Sequence, residues 1–484
     1  MLERRTKIVA TLGPATDAPG VLDQLVAAGL DCARLNCSHG DADDLRRRAA
    51  EVRAAAGRAG RPLGLLFDLQ GPKLRLSSDT VERRVQAGDE LVFTGAGAGA
   101  GAGGPAGPDR VRVEFDGFVR LVTDRSELVI GDGVPRFAVQ HADGEEVLAR
   151  AVAPGPLAPR KGINVTYARP ELPAITDKDQ ADLELAAELG ADFVALSFVR
   201  SGADLEDLRS RLHERGSRAR IVAKVEKVEA YENLDEIIAV SDGVMVARGD
   251  YGVEAGVARV PLMQKDTIFR ATQAGKVVIT ATQMLESMIH APEPTRAEVA
   301  DVANAVIDGS SAVMLSAETS VGSYPAEAVR TMATIAEAAE EVPEIHGRAR
   351  TPRGDTVAAA VMHSAVELAE EIDAAALLVP TATGGAARAC SKYRRRRPII
   401  ALAHDPLVAA QLTLEWGVYP ATMRAAESVD DMIDEALAAA AENFAELGSS
   451  ATVVLTAGRR TGTPGATNLI MVRELPEISF PGGA

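Results

Sequence analysis

The stretch Asp242-Gly-Val-Met-Val-Ala-Arg-Gly-Asp250 shows the pattern that decides the fold. A short apolar run, Gly243–Ala247, ends abruptly in charged residues, and an amphipathic stretch follows it. Short apolar runs that alternate with longer amphipathic stretches are typical of parallel strands joined by helices. The same pattern recurs along the chain. The predicted strands are Lys7–Leu12, Cys32–Leu35, Leu63–Asp68, Phe193–Leu196, Ile221–Lys224, Gly243–Ala247, Val277–Thr280 and Ala312–Leu315.

A helical pattern follows each of these strands except the third, after which the next helix is expected only at about Asp177. Eight strand–helix units with one long interruption predict an α/β chain built on a (β/α)8 TIM barrel, residues 1–70 and 165–345, with a domain inserted after strand 3. The usual size of such a barrel, about 250 residues, agrees with these two portions.

The interruption, residues 71–164, has the short alternating runs and tight turns of a small all-β module. Its clearest predicted strands are Arg110–Phe115, Glu127–Ile130 and Arg136–Gln140. The run Gly95–Gly107 is almost pure glycine, alanine and proline. We expect a flexible hairpin tip there, because the strand-to-helix context of a phosphate-binding loop is missing.

Beyond a polar linker near Val342–Arg353, residues 350–484 predict a separate, smaller α/β domain. Its predicted helices are Thr356–Glu371 and Asp430–Leu447, and its predicted strands are Ala376–Val379, Pro398–Leu402, Ala451–Leu455 and Leu469–Val472. The basic run Arg394–Arg397 indicates a solvated face or a small-anion site, since the chain as a whole is acidic.

Composition excludes several classes of partner. The chain has 484 residues, of which 52 are Lys or Arg and 69 are Asp or Glu, so its formal net charge is −17. Such a chain repels nucleic acid and anionic membrane surfaces, and no apolar run approaches the length that spans a bilayer. Cys32, Cys37 and Cys390 are too few for a disulfide framework. We therefore expect a soluble cytoplasmic protein with no nucleic-acid or membrane partner.

Catalytic residues of (β/α)8 barrels lie at the C-terminal ends of the strands. Nearly every predicted strand of this chain ends there in polar or charged residues, which a purely structural protein would not need. The rim residues are Arg34, Asn36, Ser38 and His39 after strand 2, Asp68, Lys73 and Arg75 after strand 3, Ser197 and Arg200 after strand 4, Lys224 and Glu226 after strand 5, Arg248, Gly249 and Asp250 after strand 6, Thr282 after strand 7, and Ser316, Glu318 and Thr319 after strand 8.

The rim residues have complementary chemistry. Glu226 and Asp250 offer hard oxygen ligands for Mg²⁺ or Mn²⁺. Lys224 precedes Glu226 by two residues, so both point to one side of the strand, and its ammonium could stabilise an enolate or a transferring phosphoryl group. Taken singly, each residue is more simply explained as structural; together they indicate metal-assisted phosphoryl transfer. The rim arginines that could each clamp a phosphate are Arg34, Arg75 and Arg248.

Read together, these stretches resemble the pyruvate kinase family over essentially the whole chain. The motifs that carry the resemblance are Thr6–Pro14, Ala33–Gly40, Asp68–Arg75, Asp242–Asp250, Ala281–Met288, Pro294–Val306 and Val313–Thr319. The resemblance implies transfer of the phosphoryl group of phosphoenolpyruvate to ADP, giving pyruvate and ATP, with Mg²⁺ or Mn²⁺ as the cofactor. It also implies a homotetramer with barrel–barrel and C-terminal-domain interfaces.

Catalytic and metal-binding roles of the family carry over to matching positions. By this resemblance, Lys224 would brace the phosphoryl group and the enolate oxygen, and Arg34 would grip the phosphoryl group. Glu226 and Asp250 would hold the divalent metal.

Substrate and nucleotide contacts carry over in the same way. The backbone of Gly249 and Asp250, together with Thr282, would bind the substrate carboxylate, and Thr282 would lie near the proton that converts enolpyruvate to pyruvate. The inserted β module would act as a lid that excludes water. The residues expected to reach the nucleotide phosphates or the nucleotide-bound metal are Asn36, His39, Arg75, Lys161 and Asp132.

One departure from the family's pattern concerns potassium. Many members hold K⁺ with groups equivalent to Asn36, Ser38, Asp68 and the backbone of Leu69, and those members have Glu where this chain has Lys73. A fixed ammonium could supply the positive charge that K⁺ otherwise provides. We therefore expect K⁺ to be dispensable, with Lys73 as the internal cation.

Further departures leave the regulation and the exact activity open. Residues 380–386 match the family's effector phosphate loop only in part, so we expect any effector to be a phosphorylated metabolite other than a sugar bisphosphate. Ser201 stands where some members have a nucleotide-contacting lysine. Two alternatives to an active pyruvate kinase remain: a non-catalytic paralogue of that family, and another metal-dependent barrel enzyme that forms an enolate.

Overall fold

A computed structural model describes residue 2 and residues 4–96, 109–131, 133–168, 173–342, 356–458 and 467–477. Most of the run Gly95–Gly107, most of the polar linker and Asp132 lie outside these ranges. Expectations that concern them are therefore left as predictions.

The chain opens with three parallel strands, each of them almost fully buried. They are β1 (Lys7–Thr11), β2 (Cys32–Asn36) and β3 (Gly64–Asp68), joined by helices α1 (Val21–Ala27) and α2 (Ala42–Ala59). The second helix has clear end signals. The Asp41 side chain accepts hydrogen bonds from the first-turn amides, and Gly60 ends the helix in the left-handed conformation.

A separate β module follows β3, as the sequence predicts. It comprises β4 (Arg83–Val85), β5 (Glu90–Gly95), β6 (Arg110–Val113), α3 (Phe118–Leu121), β7 (Glu127–Ile130), β8 (Arg136–Ala142), β9 (Glu146–Ala153), β10 (Gly155–Leu157) and β11 (Ile163–Val165). Six of these strands form one sheet in the order β11-β7-β8-β9-β5-β6. The module has its own core, in which the rings of Phe93 and Phe137 meet edge to face at 5.1 Å.

Five further strands complete the barrel: β12 (Phe193–Leu196), β13 (Arg220–Val225), β14 (Gly243–Ala247), β15 (Val277–Ala281) and β16 (Ala312–Leu315). The barrel is closed and parallel, in the order β1-β16-β15-β14-β13-β12-β3-β2. The predicted (β/α)8 barrel is thus confirmed, and each predicted strand end agrees within one residue. The helices around these strands are α4 (Asp177–Glu188), α5 (Gly202–Glu214), α6 (Val228–Glu232), α7 (Leu234–Val240), α8 (Arg248–Ala255), α9 (Val260–Gln273), α10 (Arg296–Asp308), α11 (Ala317–Ser320) and α12 (Pro325–Glu340).

The C-terminal part forms a five-stranded sheet in the order β19-β18-β17-β20-β21. Its elements are α13 (Val357–Glu371), β17 (Ala376–Pro380), α14 (Gly385–Ser391), β18 (Ile399–Ala403), α15 (Pro406–Gln411), β19 (Val418–Thr422), α16 (Val429–Asn443), β20 (Thr452–Gly458) and β21 (Thr467–Glu474). The sequence pattern misses β19, because Pro420 argues against a strand and is tolerated only at a sheet edge, where β19 lies.

This C-terminal part closes the N-terminal end of the barrel. Leu414 is fully buried and packs in the barrel interior with Val9, Phe193 and Val277, which lie at or near the starts of their strands. Arg394 is also buried, which makes the expectation of a solvated or anion-binding Arg394–Arg397 run wrong at that position. The charged rim lies at the opposite end of the barrel, at the C-terminal ends of the strands.

Within the ranges given above, no helix combines the length and the apolar character needed to cross a bilayer.

Candidate active site

A buried carboxylate joins two cations at the rim. Asp68 ends β3 and is only 1% exposed. Its Oδ2 accepts from Nε of Arg34 at 2.7 Å, and its Oδ1 lies 3.1 Å from Nζ of Lys224. Burial would raise the pKa of Asp68, but Lys224 and Arg34 hold it below its ordinary value. Asp68 therefore stays ionised and fixes both cations.

Lys224 has two further partners, Ser197 after the neighbouring strand β12 and Glu226 just after its own strand β13. Its Nζ donates to Oγ of Ser197 at 2.6 Å and lies 3.0 Å from Oε1 of Glu226. Burial would lower the pKa of Lys224, yet the Asp68 and Glu226 carboxylates raise it above its ordinary value. The ammonium is thus charged at neutral pH and held in one place by three groups.

Glu226 and Asp250 form a pair of carboxylates that differ in their exposure to solvent. Glu226 is 1% exposed and accepts the backbone N–H of Phe198 at 2.8 Å through Oε2, whereas Asp250 is exposed. Burial raises the pKa of Glu226; the Lys224 ammonium opposes the rise and the Asp250 carboxylate adds to it. A divalent cation between the two carboxylates would relieve this repulsion, so the residues fit a hard metal ion. Among the described residues, no cluster of three or more His, Cys, Asp or Glu is suited to a metal.

Thr282 follows β15 in an unusual turn against the start of α8. Its φ is +76° and that of Gln283 is +54°, both in the left-handed region. A Cβ added to Gly249 would meet Cγ2 of Thr282 at 3.0 Å. The structure therefore brings Thr282, Gly249 and Asp250 together at one side of the rim.

Arg248 does not have the role considered from the sequence. Its Nη1 donates to Oδ1 of Asp301 at 2.7 Å, and Nε and Nη2 donate to backbone carbonyls of the Thr282 turn. The hypothesis that Arg248 clamps phosphate is therefore wrong, because all three guanidinium nitrogens already have partners in the protein.

A cleft of about 340 Å³ runs between the barrel rim and the inserted module. It contains two of the predicted nucleotide-binding residues, Arg75 and Lys161, together with Lys73 and Asp250. The cleft also contains Arg200, which the sequence places at the rim without a role, and two cations that the sequence analysis does not name, Arg160 and Lys227. In a chain of net charge −17 such a local excess of cations suits a polyphosphate.

The other predicted contacts lie beside this cleft. His39 lies at the surface; the partial burial of its imidazole, and then the charges of Lys73, Arg34 and Arg75, lower the pKa of that ring. The positive charges of Lys73, Arg34 and Arg75 therefore lie close to one another around the His39 imidazole. The expected potassium ligands also have partners: the Asn36 Oδ1 accepts from the Ser38 N–H at 3.1 Å, and the Leu69 carbonyl accepts from Ser197 Oγ at 2.6 Å.

Ser197 is the main site residue that the sequence places at the rim, after strand 4, without giving it a role. It contacts Lys224 and the Leu69 carbonyl, yet a lone serine after a strand carries no spacing signal. Its position after β12 predicts that it lies at the rim, but its partners become visible only in the folded barrel.

Comparisons with known proteins match one family along almost the whole chain. Residues 3–329 match the family described as "Pyruvate kinase, barrel domain", and residues 359–473 match "Pyruvate kinase, alpha/beta domain". A pyruvate kinase of Mycobacterium tuberculosis (strain CDC 1551) is 41% identical over 480 aligned residues, covering 98% of this chain and 99% of the relative. One from Geobacillus stearothermophilus is 38% identical, covering 99% of this chain and 82% of the relative. One from Corynebacterium efficiens is 40% identical, covering 98% and 99%.

Proposed function

The chain belongs to the pyruvate kinase family, and we propose that it transfers the phosphoryl group of phosphoenolpyruvate to ADP, giving pyruvate and ATP. The observation that carries the proposal is the buried Lys224 ammonium, held between Asp68, Glu226 and Ser197 at the C-terminal ends of the strands. A fixed charge of this kind costs no reorganisation when a negative charge develops beside it.

In this proposal Lys224 and Arg34 act on the transferring group. Arg34 grips the phosphoryl group, and Lys224 stabilises the charge on that group and on the enolate oxygen left behind. Asp68 supports both roles, because its carboxylate holds the two cations at 2.7 and 3.1 Å. Two neighbouring cations would otherwise repel each other in so buried a place.

Glu226 and Asp250 are the residues that would hold Mg²⁺, or Mn²⁺ in its place. When bound, the metal would neutralise charge on the phosphate and the enolate oxygen. The Glu226 carboxylate is oriented by the Phe198 N–H at 2.8 Å, so its position does not depend on the metal.

The Gly249 and Asp250 backbone and Thr282 would receive the substrate carboxylate. Their support is the close packing of Gly249 against Thr282 and the place of Gly249 and Asp250 in the first turn of α8, where backbone N–H groups have no acceptor within the helix. Thr282 would orient the water that delivers a proton to the enolpyruvate carbon.

The nucleotide phosphates would lie in the cationic cleft, with Arg75 and Lys161 as the principal contacts and Asn36 and His39 beside them. The inserted module contributes one wall of this cleft, so its closure would exclude water from the phosphoryl group. Lys73 also lines the cleft, which supports its role as an internal cation and activity without K⁺.

The family also supports a cytoplasmic enzyme of glycolysis that assembles as a homotetramer. A phosphorylated effector would bind in the C-terminal domain if the enzyme is allosteric. The domain limits 1–70 with 165–345, 71–164 and 350–484 are part of the same proposal.

The direct test is pyruvate and ATP formation from phosphoenolpyruvate and ADP with Mg²⁺, in buffer freed of K⁺. We expect turnover in the wild type and a loss of at least about 10³-fold in Lys224→Met, with Mn²⁺ binding retained. Activity of Lys224→Met near the wild-type rate would contradict its role. A wild type that is silent with and without K⁺ would favour the non-catalytic paralogue, and conversion of phosphoenolpyruvate without ADP would favour another enolate-forming enzyme.

A further inference from the structure

The turn after β15 is held in a conformation that its residues do not favour. Thr282 has φ +76° and Gln283 has φ +54°. A β-branched residue in the left-handed region is a genuine outlier, and it persists only where the surroundings impose it. Some other group must therefore stabilise this turn.

Arg248, the first residue of α8, is that group. Its Nε lies 3.2 Å from the Ala281 carbonyl oxygen, and its Nη2 lies 2.6 and 3.2 Å from the carbonyl oxygens of Thr282 and Gln283. Three successive carbonyl dipoles thus point at one guanidinium. Only a planar fork of several donors can satisfy such an arrangement, so a lysine could not replace it.

Asp301 fixes the other end of the guanidinium. Its Oδ1 accepts from Nη1 of Arg248 at 2.7 Å, and it lies within α10, a helix with a reciprocal cap between Thr295 and Glu298. The side chain of Arg248 is only 12% exposed, so its charge is mostly shielded from water. Asp301 therefore ties the turn to α10, the capped helix that follows β15 in the same barrel unit.

We propose that Arg248 and Asp301 are positioning residues that hold Thr282 in its strained turn, and with it the geometry for protonating the enolpyruvate carbon. This inference rests on the proposed function, because it gives Thr282 its part in the proton step. Neither residue needs to touch the substrate: Arg248 acts through the three carbonyls, and Asp301 acts through Arg248.

The proton step can be observed without phosphoryl transfer. Exchange of the methyl protons of pyruvate with D₂O reports removal and return of that proton, and it is followed by NMR. In Asp301→Asn we expect this exchange to slow about tenfold or more, while KM for phosphoenolpyruvate and Mn²⁺ affinity stay within about twofold of the wild type. In Arg248→Lys we expect an equal or larger loss, because an ammonium cannot bind the three carbonyls together.

Asp308→Asn is the matched control. It removes a carboxylate from the same helix, where Asp308 pairs with Lys265 and not with the Thr282 turn. Hydrogen exchange of the backbone amides of residues 282–285 gives a readout independent of activity, and we expect it to quicken in Asp301→Asn alone.

The outcomes separate the two proposals. Wild-type enzyme that forms no pyruvate from phosphoenolpyruvate and ADP would overturn the proposed function. Active wild type with unchanged proton exchange in Asp301→Asn, or with the same loss in Asp308→Asn, would overturn the positioning role alone. A defect confined to KM would also overturn it, because the pair would then serve substrate binding and not the proton step.

Discussion

Lys73 lies in a small region of dense positive charge, where the pKa of His39 responds to burial and then to Lys73, Arg34 and Arg75. Asp68, the one carboxylate among the expected potassium ligands, already binds Lys224 and Arg34. A further cation in this place therefore has little free negative charge to bind. This balance is the physical basis for expecting activity without K⁺.

The charge at position 73 can be reversed to test this point. In Lys73→Glu we expect the rate without K⁺ to fall at least about tenfold, equivalent to about 1.4 kcal/mol in the barrier, and to recover when K⁺ is added. The variant would then hold a carboxylate where the K⁺-requiring members have one. The measurement is pyruvate formation over a K⁺ titration at constant ionic strength.

Lys73→Gln is the control for the loss of charge alone. It should lose activity without gaining a strong response to K⁺, since it offers no carboxylate. A wild type that needs K⁺ for full activity, or a Lys73→Glu variant indifferent to K⁺, would show that Lys73 is not the internal cation.

The place of a single side chain in the site could be predicted wherever the geometry of a strand decides the direction in which it points. The alternation of a strand puts Lys224 and Glu226 on one side, and the structure brings their charged atoms within 3.0 Å. Arg248 was misjudged because its partners come from a turn and a helix far along the chain. Such partners become visible only after the barrel has closed.

At the scale of elements, the site depends on how closely α8 approaches the turn after β15. A Cβ on Gly249 would lie 3.0 Å from Cγ2 of Thr282, closer than side chains normally pack. Thr282 cannot easily yield, because Arg248 holds its backbone carbonyl at 2.6 Å. Glycine at position 249 is therefore required by packing as well as by the proposed contact with substrate.

Gly249→Ala should consequently displace Thr282 or the start of α8. We expect kcat/KM for phosphoenolpyruvate to fall about tenfold or more, since small displacements of positioned groups are costly to catalysis. Steady-state kinetics with phosphoenolpyruvate as the varied substrate measures this effect.

Gly252→Ala, in the same helix, provides the comparison. An added Cβ there would meet Val260 Cγ2 at 3.6 Å, an ordinary contact, so kinetics should stay near those of the wild type. Equal effects of the two substitutions would mean that helix α8 as a whole, and not the contact with Thr282, explains the loss.

The strands of the barrel agree closely with those predicted from the sequence, because each buried strand is a short apolar run between polar ends. The exception in the C-terminal sheet, β19 (Val418–Thr422), contains Pro420. A proline removes a backbone donor, and only the edge position reconciles it with a sheet. Strand order, which the sequence does not contain, was needed to resolve that conflict.

At the scale of the whole molecule, the packing of the C-terminal part on the barrel was invisible in the sequence. Arg394, which looked like part of a basic surface run, is 5% exposed and reaches the connection between α10 and β16 of the barrel. Its Nη2 donates to the Gly309 carbonyl at 2.8 Å, and its Nη1 donates to the Ser310 carbonyl at 3.2 Å. The guanidinium also lies 4.9 Å from the centre of the Trp416 ring.

Through these contacts Arg394 links the barrel to the C-terminal domain, two parts that each have their own hydrophobic core. Burial lowers the pKa of Arg394 to about 10, so the guanidinium is still charged at neutral pH. Arg394→Met would remove the donor of the Ser310 carbonyl and leave the Gly309 carbonyl with only the Thr272 hydroxyl at 3.4 Å. An unsatisfied buried carbonyl costs about 1–3 kcal/mol. The barrel and the C-terminal sheet should then unfold less cooperatively.

Differential scanning calorimetry of Arg394→Met should accordingly show a Tm about 4 °C or more below that of the wild type, with a broader or split transition. Arg396→Met is the matched control, because Arg396 belongs to the same run but is exposed, and its Tm should not change. Turnover at 25 °C should stay within about twofold of the wild-type rate in both variants, since Arg394 lies at the end of the barrel opposite the rim. A single unshifted transition in Arg394→Met would mean that the remaining contacts, Leu414 in the barrel interior among them, are enough to join the two parts.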